Sequence, residues 1–134
     1  MKNTLLCLDE RRCVEFLRLD ARLALIVYAG MDEWPHQHML VSSIHRTQQE
    51  ENAAGGKSGI HMAGPPYRAL DGSARNFVAA SDEERWAMCE RVAAAVSARW
   101  IYDPARPTMV VAFAQVHGSG PHVHFQVHAG TLAK

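Results

Sequence analysis

The chain has 134 residues, and its 14 Lys and Arg balance 14 Asp and Glu, so it is formally neutral. Neutrality with arginines scattered among acids argues against a nucleic-acid partner, because affinity for a phosphate backbone needs a basic face. No stretch approaches the roughly 20 apolar residues of a membrane span, and the apolar run after Asn3 is too brief for a signal-peptide core, so synthesis in the cytoplasm without a membrane partner is expected.

In chain order, Val14, Leu17, Ala21, Leu25 and Tyr28 recur at three- and four-residue intervals among charged residues. This predicts one amphipathic helix over 9–29, stopped by Gly30 and Pro35. A strand over 39–44 follows. Thr47 and Glu50 have the spacing of a capping box, so 48–54 reads as a short helix closed by Gly55 and Gly56. A loop then leads to an extended segment over 67–71. Ser81 with Glu84 opens a second helix reaching about Arg99, with Cys89, Val92, Ala93 and Val96 on its apolar side and the Trp86 and Trp100 indoles as helix core. The segments 109–116 and 122–128 read as a hairpin turning at Gly118-Ser119-Gly120-Pro121. The expected architecture is a single domain, 1–134, of the α+β class, with a small, mainly antiparallel sheet packed against helices.

Cys7, Cys13 and Cys89 are odd in number, widely spaced and without a CxxC pair, which fits reduced thiols. The eight histidines are the compositional excess. Along 122–128 the sequence alternates, so Val123, Phe125 and Val127 should face the core while His122, His124, Gln126 and His128 line solvent or a cleft. Pairing His117 with His122 would add His117 to that face and set Gln115 opposite His124. A His-x-His strand suits a metal that takes imidazole ligands, most often zinc. His61 and Asp71, in SGIHMAGPPYRALD, could add an imidazole and a carboxylate and leave a fourth position for water, although alone they read rather as a loop histidine and a strand-end acid. His36 and His38 read as loop residues, His128 as exposed decoration, and Asp103 as a turn residue before Pro104.

Three segments, VSSIHRT, SGIHMAG with RALD, and GPHVHFQV, together resemble the zinc peptidases of the D-alanyl-D-alanine carboxypeptidase and L-alanyl-D-glutamate endopeptidase type, whose fold is shared with the Hedgehog signalling domain. The resemblance covers roughly 39–128. It implies that His61, Asp71 and His124 ligate zinc, that His122 lines the site, and that Arg46 sits close to the substrate, where a guanidinium holds a carboxylate or steadies an oxyanion. His61 and Asp71 stand further apart than the family's pair, as if Pro65-Pro66-Tyr67 had been inserted between Gly64 and Arg68. The acid that the family places shortly before its last zinc histidine is missing from 116–121, and His117 is the expected substitute as base.

The resemblance implies a zinc metallopeptidase, carboxypeptidase or endopeptidase, acting on peptidoglycan stem peptides, and small size suits a phage lysis or virion-associated enzyme brought to the cell wall by other factors. The alternative is a catalytically impaired zinc-binding structural or binding protein with the same fold.

Overall fold

The computed structural model describes residues 4–7, 9–55, 59–117 and 120–134, with backbone alone at 4, 6, 7 and 117. The elements are β1 (Thr4–Cys7), α1 (Glu10–Phe16), α2 (Ala21–Glu33), β2 (His38–Ser43), α3 (Gln48–Ala54), a 3-10 turn (Ile60–Met62), β3 (Ala69–Ser73), α4 (Asp82–Ser97), β4 (Trp100–Ile101), β5 (Ala112–His117), β6 (Gly120–Gln126) and β7 (Leu132–Ala133). Five strands form one sheet in the order β1-β2-β3-β6-β5, and β4 pairs with β7 apart from it. Among the described strands β1 pairs with β2 in parallel and the other pairings are antiparallel, with a separate parallel bridge between Leu19 and Tyr67.

The long helix expected over 9–29 is two helices. Asp20 caps the second by accepting from the Arg22 amide at 2.9 Å, and the break is held open by the Pro65-Pro66-Tyr67 segment. The Tyr67 amide donates to the Arg18 carbonyl at 2.9 Å and the Tyr67 carbonyl accepts from the Asp20 amide at 2.8 Å. These bonds satisfy backbone groups that the helix would otherwise have used. At the other end Gly30 does not stop α2. It is a contact glycine: a Cβ there would lie 2.7 Å from the Phe125 ring, so only hydrogen lets helix and sheet approach. The helix ends at Trp34, which is extended before Pro35.

The capping box expected at Thr47 is present. Thr47 accepts from the Glu50 amide while the Glu50 side chain accepts from the Thr47 amide, and Gly55 closes α3 in the left-handed conformation; Gly56 lies outside the described residues. Ser81 caps α4, whose Cys89, Val92, Ala93 and Val96 are buried. Trp86 is only half-buried and Trp100 falls in β4, so neither indole is helix core. Sequence reading also missed β1, β4 and β7, which are too short to show a period. Among the described residues no helix is long and apolar enough to cross a membrane. Of the thiols, Cys13 is exposed and Cys89 buried, both unpaired, while the Cys7 side chain is outside the described set.

The sheet's two faces differ in kind. On one, Leu70, Val123, Phe125 and Val127 pack with Leu23, Ile26 and Val27 of α2 and with the buried side of α4. On the other stand Asp71 and Ser73 of β3 with His122, His124 and Gln126 of β6, all buried as well. The histidine face therefore does not line solvent: the turn carrying His61 and the Phe113 ring, 4.8 Å from that of His124, cover it.

Candidate metal centre

Strand register brings the first two groups together. Asp71 lies opposite His124 in the β3–β6 pairing, and Ser73 lies opposite His122. A register shift in β2 between Val41 and Ser43 sets Ser43, rather than Ser42, opposite Asp71. The third group arrives on the 3-10 turn, which is tied to the chain after β2 by two bonds. The Arg46 amide donates to the His61 carbonyl at 2.8 Å, and His61 Nδ1 donates to the Ile44 carbonyl at 2.7 Å.

That second bond fixes a tautomer. With its proton on Nδ1, neutral His61 presents the Nε2 lone pair inward. His124 is set the opposite way round. Gln126 Nε2 donates to the Val110 carbonyl at 2.9 Å, which turns its Oε1 toward His124 Nε2 at 3.2 Å and leaves Nδ1 as the inward acceptor. His61 Nε2, His124 Nδ1 and Asp71 Oδ1 then form a triangle with edges of 3.3, 3.3 and 2.9 Å. Three acceptors at this spacing, each at most 5% exposed, repel one another unless a positive species lies between them, either added protons or a metal ion. For zinc bonded at roughly 2.0–2.2 Å, tetrahedral edges are about 3.3–3.6 Å. The donor set suits such an ion, and two of the three edges already have that length, while the His124–Asp71 edge at 2.9 Å would have to open by about 0.4 Å.

Around this triangle lies a second layer. Arg46 Nη2 donates to the other Asp71 oxygen at 2.8 Å, and its Nη1 is 3.5 Å from buried Glu51 of α3. Where the imidazoles carry the extra proton, burial pushes the Asp71 carboxyl up, but the charge of His61 and hydrogen bonds from His124 and His61 outweigh it and hold the group well below the usual carboxylate range. His122 Nε2 stands 3.8 Å from Asp71 Oδ2 and bonds Gln115 Oε1 at 3.1 Å. Burial is the largest influence on it and lowers its pKa, so neutral imidazole is favoured there.

The expected ligands His61, Asp71 and His124 thus meet, with His122 beside them. Arg46 also reaches the site, but it is buried against two carboxylates of the protein itself. The hairpin register differs from expectation: His117 pairs with Gly120 and Gln115 faces His122. The slip is even, so the faces are kept. His117 therefore ends β5, while its side chain and residues 118 and 119 of the turn lie outside the described residues. His128 Nδ1 lies 3.2 Å from an Asp103 oxygen, so Asp103 is more than a turn residue and His128 more than decoration. His36 and His38 flank the start of β2, where Asn76 Nδ2 meets His36 Nδ1 and the His38 carbonyl, each at 3.0 Å.

The sequence gives no sign of a role for Glu51, which sits in the first turn of an acidic helix, where a carboxylate ordinarily reads as solvated. The alternating period does put Gln126 on the face of His124, but not its role in orienting that ring. None of the family models, curated proteins or solved structures compared with this chain matches it.

Proposed function

We propose that the protein is a zinc-dependent peptidase of the Hedgehog and D-alanyl-D-alanine carboxypeptidase fold, hydrolysing peptide bonds in the stem peptides of bacterial peptidoglycan. One observation carries this reading: two imidazoles with their outer nitrogens hydrogen-bonded to carbonyl oxygens, and a carboxylate held by a guanidinium, aim three acceptors at one point. His61, Asp71 and His124 would hold the ion, and Arg46 would orient Asp71. Zinc bound there would supply Lewis acidity toward a carbonyl and acidify water. His122, with Nε2 3.8 Å from Asp71 Oδ2, would line the site beside the ion. His117, at the end of β5, is the proposed base, and a phage lysis or virion-associated role is the proposed setting.

The second reading, a zinc-binding protein that has lost hydrolysis, has its own observation. The last side-chain carboxylate of the sequence is Asp103, and it lies against His128 and Arg106. Purified muropeptides incubated with zinc-loaded wild type, His117→Ala and His124→Ala and read by mass spectrometry decide between them. Zinc-dependent cleavage that is lost in both variants is expected. Stoichiometric zinc without cleavage of any stem peptide would overturn the peptidase reading in favour of the second.

A further inference from the structure

Strand β5 ends the five-stranded sheet, and its outer edge pairs with no strand among the described residues. Which of its backbone groups face outward follows from two observations. The Gln126 amide donates to the Val111 carbonyl at 2.8 Å, so 111, 113 and 115 turn toward β6 while 112, 114 and 116 turn away. The outward groups of Ala112 are both taken by Ser97 of α4, whose hydroxyl donates to the Ala112 carbonyl at 2.9 Å and accepts from its amide at 3.3 Å. Among the described residues no side chain caps Ala114 or Val116 in this way. The edge also lacks what ordinarily keeps such strands single. From Pro107 to Ala133 the sequence has no Lys, Arg, Asp or Glu, and Val110 and Val116 are exposed. Beside the edge runs a groove of about 310 Å³ lined by Trp86, Ala93, Ala94, Val110 and Ala114, with Glu90 as the one charged residue among the described lining.

We propose that β5 pairs antiparallel with β5 of a second copy of this chain, about a two-fold axis at Gln115, so that the two sheets become one. Because Ser97 occupies the edge at Ala112, pairing is confined to the stretch beyond it. Centred on Gln115, Ala114 and Val116 of each chain exchange both hydrogen bonds with Val116 and Ala114 of the other. This register sets a large side chain against a small one. A two-fold axis also brings each side chain close to its own kind, and an uncharged strand accepts that without repulsion, which selects a second copy as the occupant. Both metal centres then lie on the same face of the joined sheet. Each is linked to the seam strand, where the Phe113 ring packs on His124 and Gln115 bonds His122. The pairing needs neither a metal nor a peptide substrate, so it stands apart from the peptidase reading.

Sedimentation equilibrium of the full chain over a range of concentrations is expected to give twice the chain mass of 14.9 kDa. Two variants attack the seam. Val116→Lys adds an ammonium to it from each chain, and Val116→Pro deletes the outward amide without removing a bond to β6, since Val116 stands opposite Pro121 in a pair that exchanges none. Each should raise the dimer Kd by at least about tenfold, with circular dichroism and the urea midpoint reporting that the fold is kept. Leu17→Lys, exposed at the end of α1 beside β1 and β2, should leave the Kd unchanged. In a Cys7→Ser, Cys13→Ser background, Gln115→Cys should cross-link to its own copy under mild oxidation, because opposed residues of this kind have Cα atoms about 4.5 Å apart. A single-chain mass at every concentration overturns the pairing and leaves the edge to a strand of a different protein. A dimer that keeps its Kd in either Val116 variant, or that does not cross-link through Gln115→Cys, overturns the seam.

Discussion

His61, Asp71, His124 and Arg46 on the polar face of the sheet, and His128, Asp103 and Arg106 beyond the end of β6, are built from the same side-chain types at comparable distances. What differs is where the lone pairs point and how much water is near. In the first group both outer imidazole nitrogens are occupied by carbonyl oxygens, so the inner ones converge on Asp71. In the second, His128 Nδ1 already accepts from the Gly130 amide at 3.2 Å, and the Arg106 side chain is 53% exposed. A buried convergence of acceptors demands a cation, whereas a solvated group of the same composition satisfies itself. Residue type alone does not make a metal site; the hydrogen bond on the far nitrogen does.

The comparison is broken most directly by metal affinity. Zinc binding, followed by competition with a chromogenic chelator, should fall by more than roughly 100-fold in His124→Ala, beyond the range of a change in an outer partner, while His128→Ala leaves it unchanged. Equal losses would erase the distinction drawn between the clusters. Stability comes next. Arg46→Met leaves Asp71 and Glu51 as buried, unneutralised carboxylates, and urea denaturation should show a loss of about 3–5 kcal/mol. Arg106→Met at the solvated cluster should cost less than about 1 kcal/mol.

Two smaller effects concern α3, which carries Glu51 to the site. Thr47→Ala removes the side-chain half of the capping box and should lower stability by about 1 kcal/mol in the same assay, without altering zinc stoichiometry. Glu50 gives the pH dependence. Hydrogen bonds from Arg11 first, then the Thr47 amide, hold its carboxyl at about 2 against an ordinary 4.5. A depressed folded pKa contributes stability above the ordinary value, which is lost as pH falls from there toward the folded one. The Tm gap between wild type and Glu50→Gln should therefore narrow across that window, and a gap that widened on acidification would contradict the ion pair.

Much of the scaffold was legible because its signals are local. The caps at Thr47 and Ser81, the alternation over 122–128 and the apolar spacing in α4 each lie within a few residues, and each appears in the structure. The helix over 9–29 was misread because its break depends on Tyr67, far along the chain, and Gly30 was misread because its constraint is the Phe125 ring. The three candidate ligands were named on resemblance, and their meeting required β3–β6 register and the docking of a turn.

By itself, then, the sequence determined the α+β element types, the apolar face of β6 and the stock of imidazoles and carboxylates available for chemistry. Tertiary structure decided which of them share a point in space, which nitrogen of each ring faces inward, and that Glu51 stands behind Arg46. The physical reason is range: periodicity and capping act within a turn or a strand, whereas a tautomer or a buried charge is set by hydrogen-bond partners that only folding brings near.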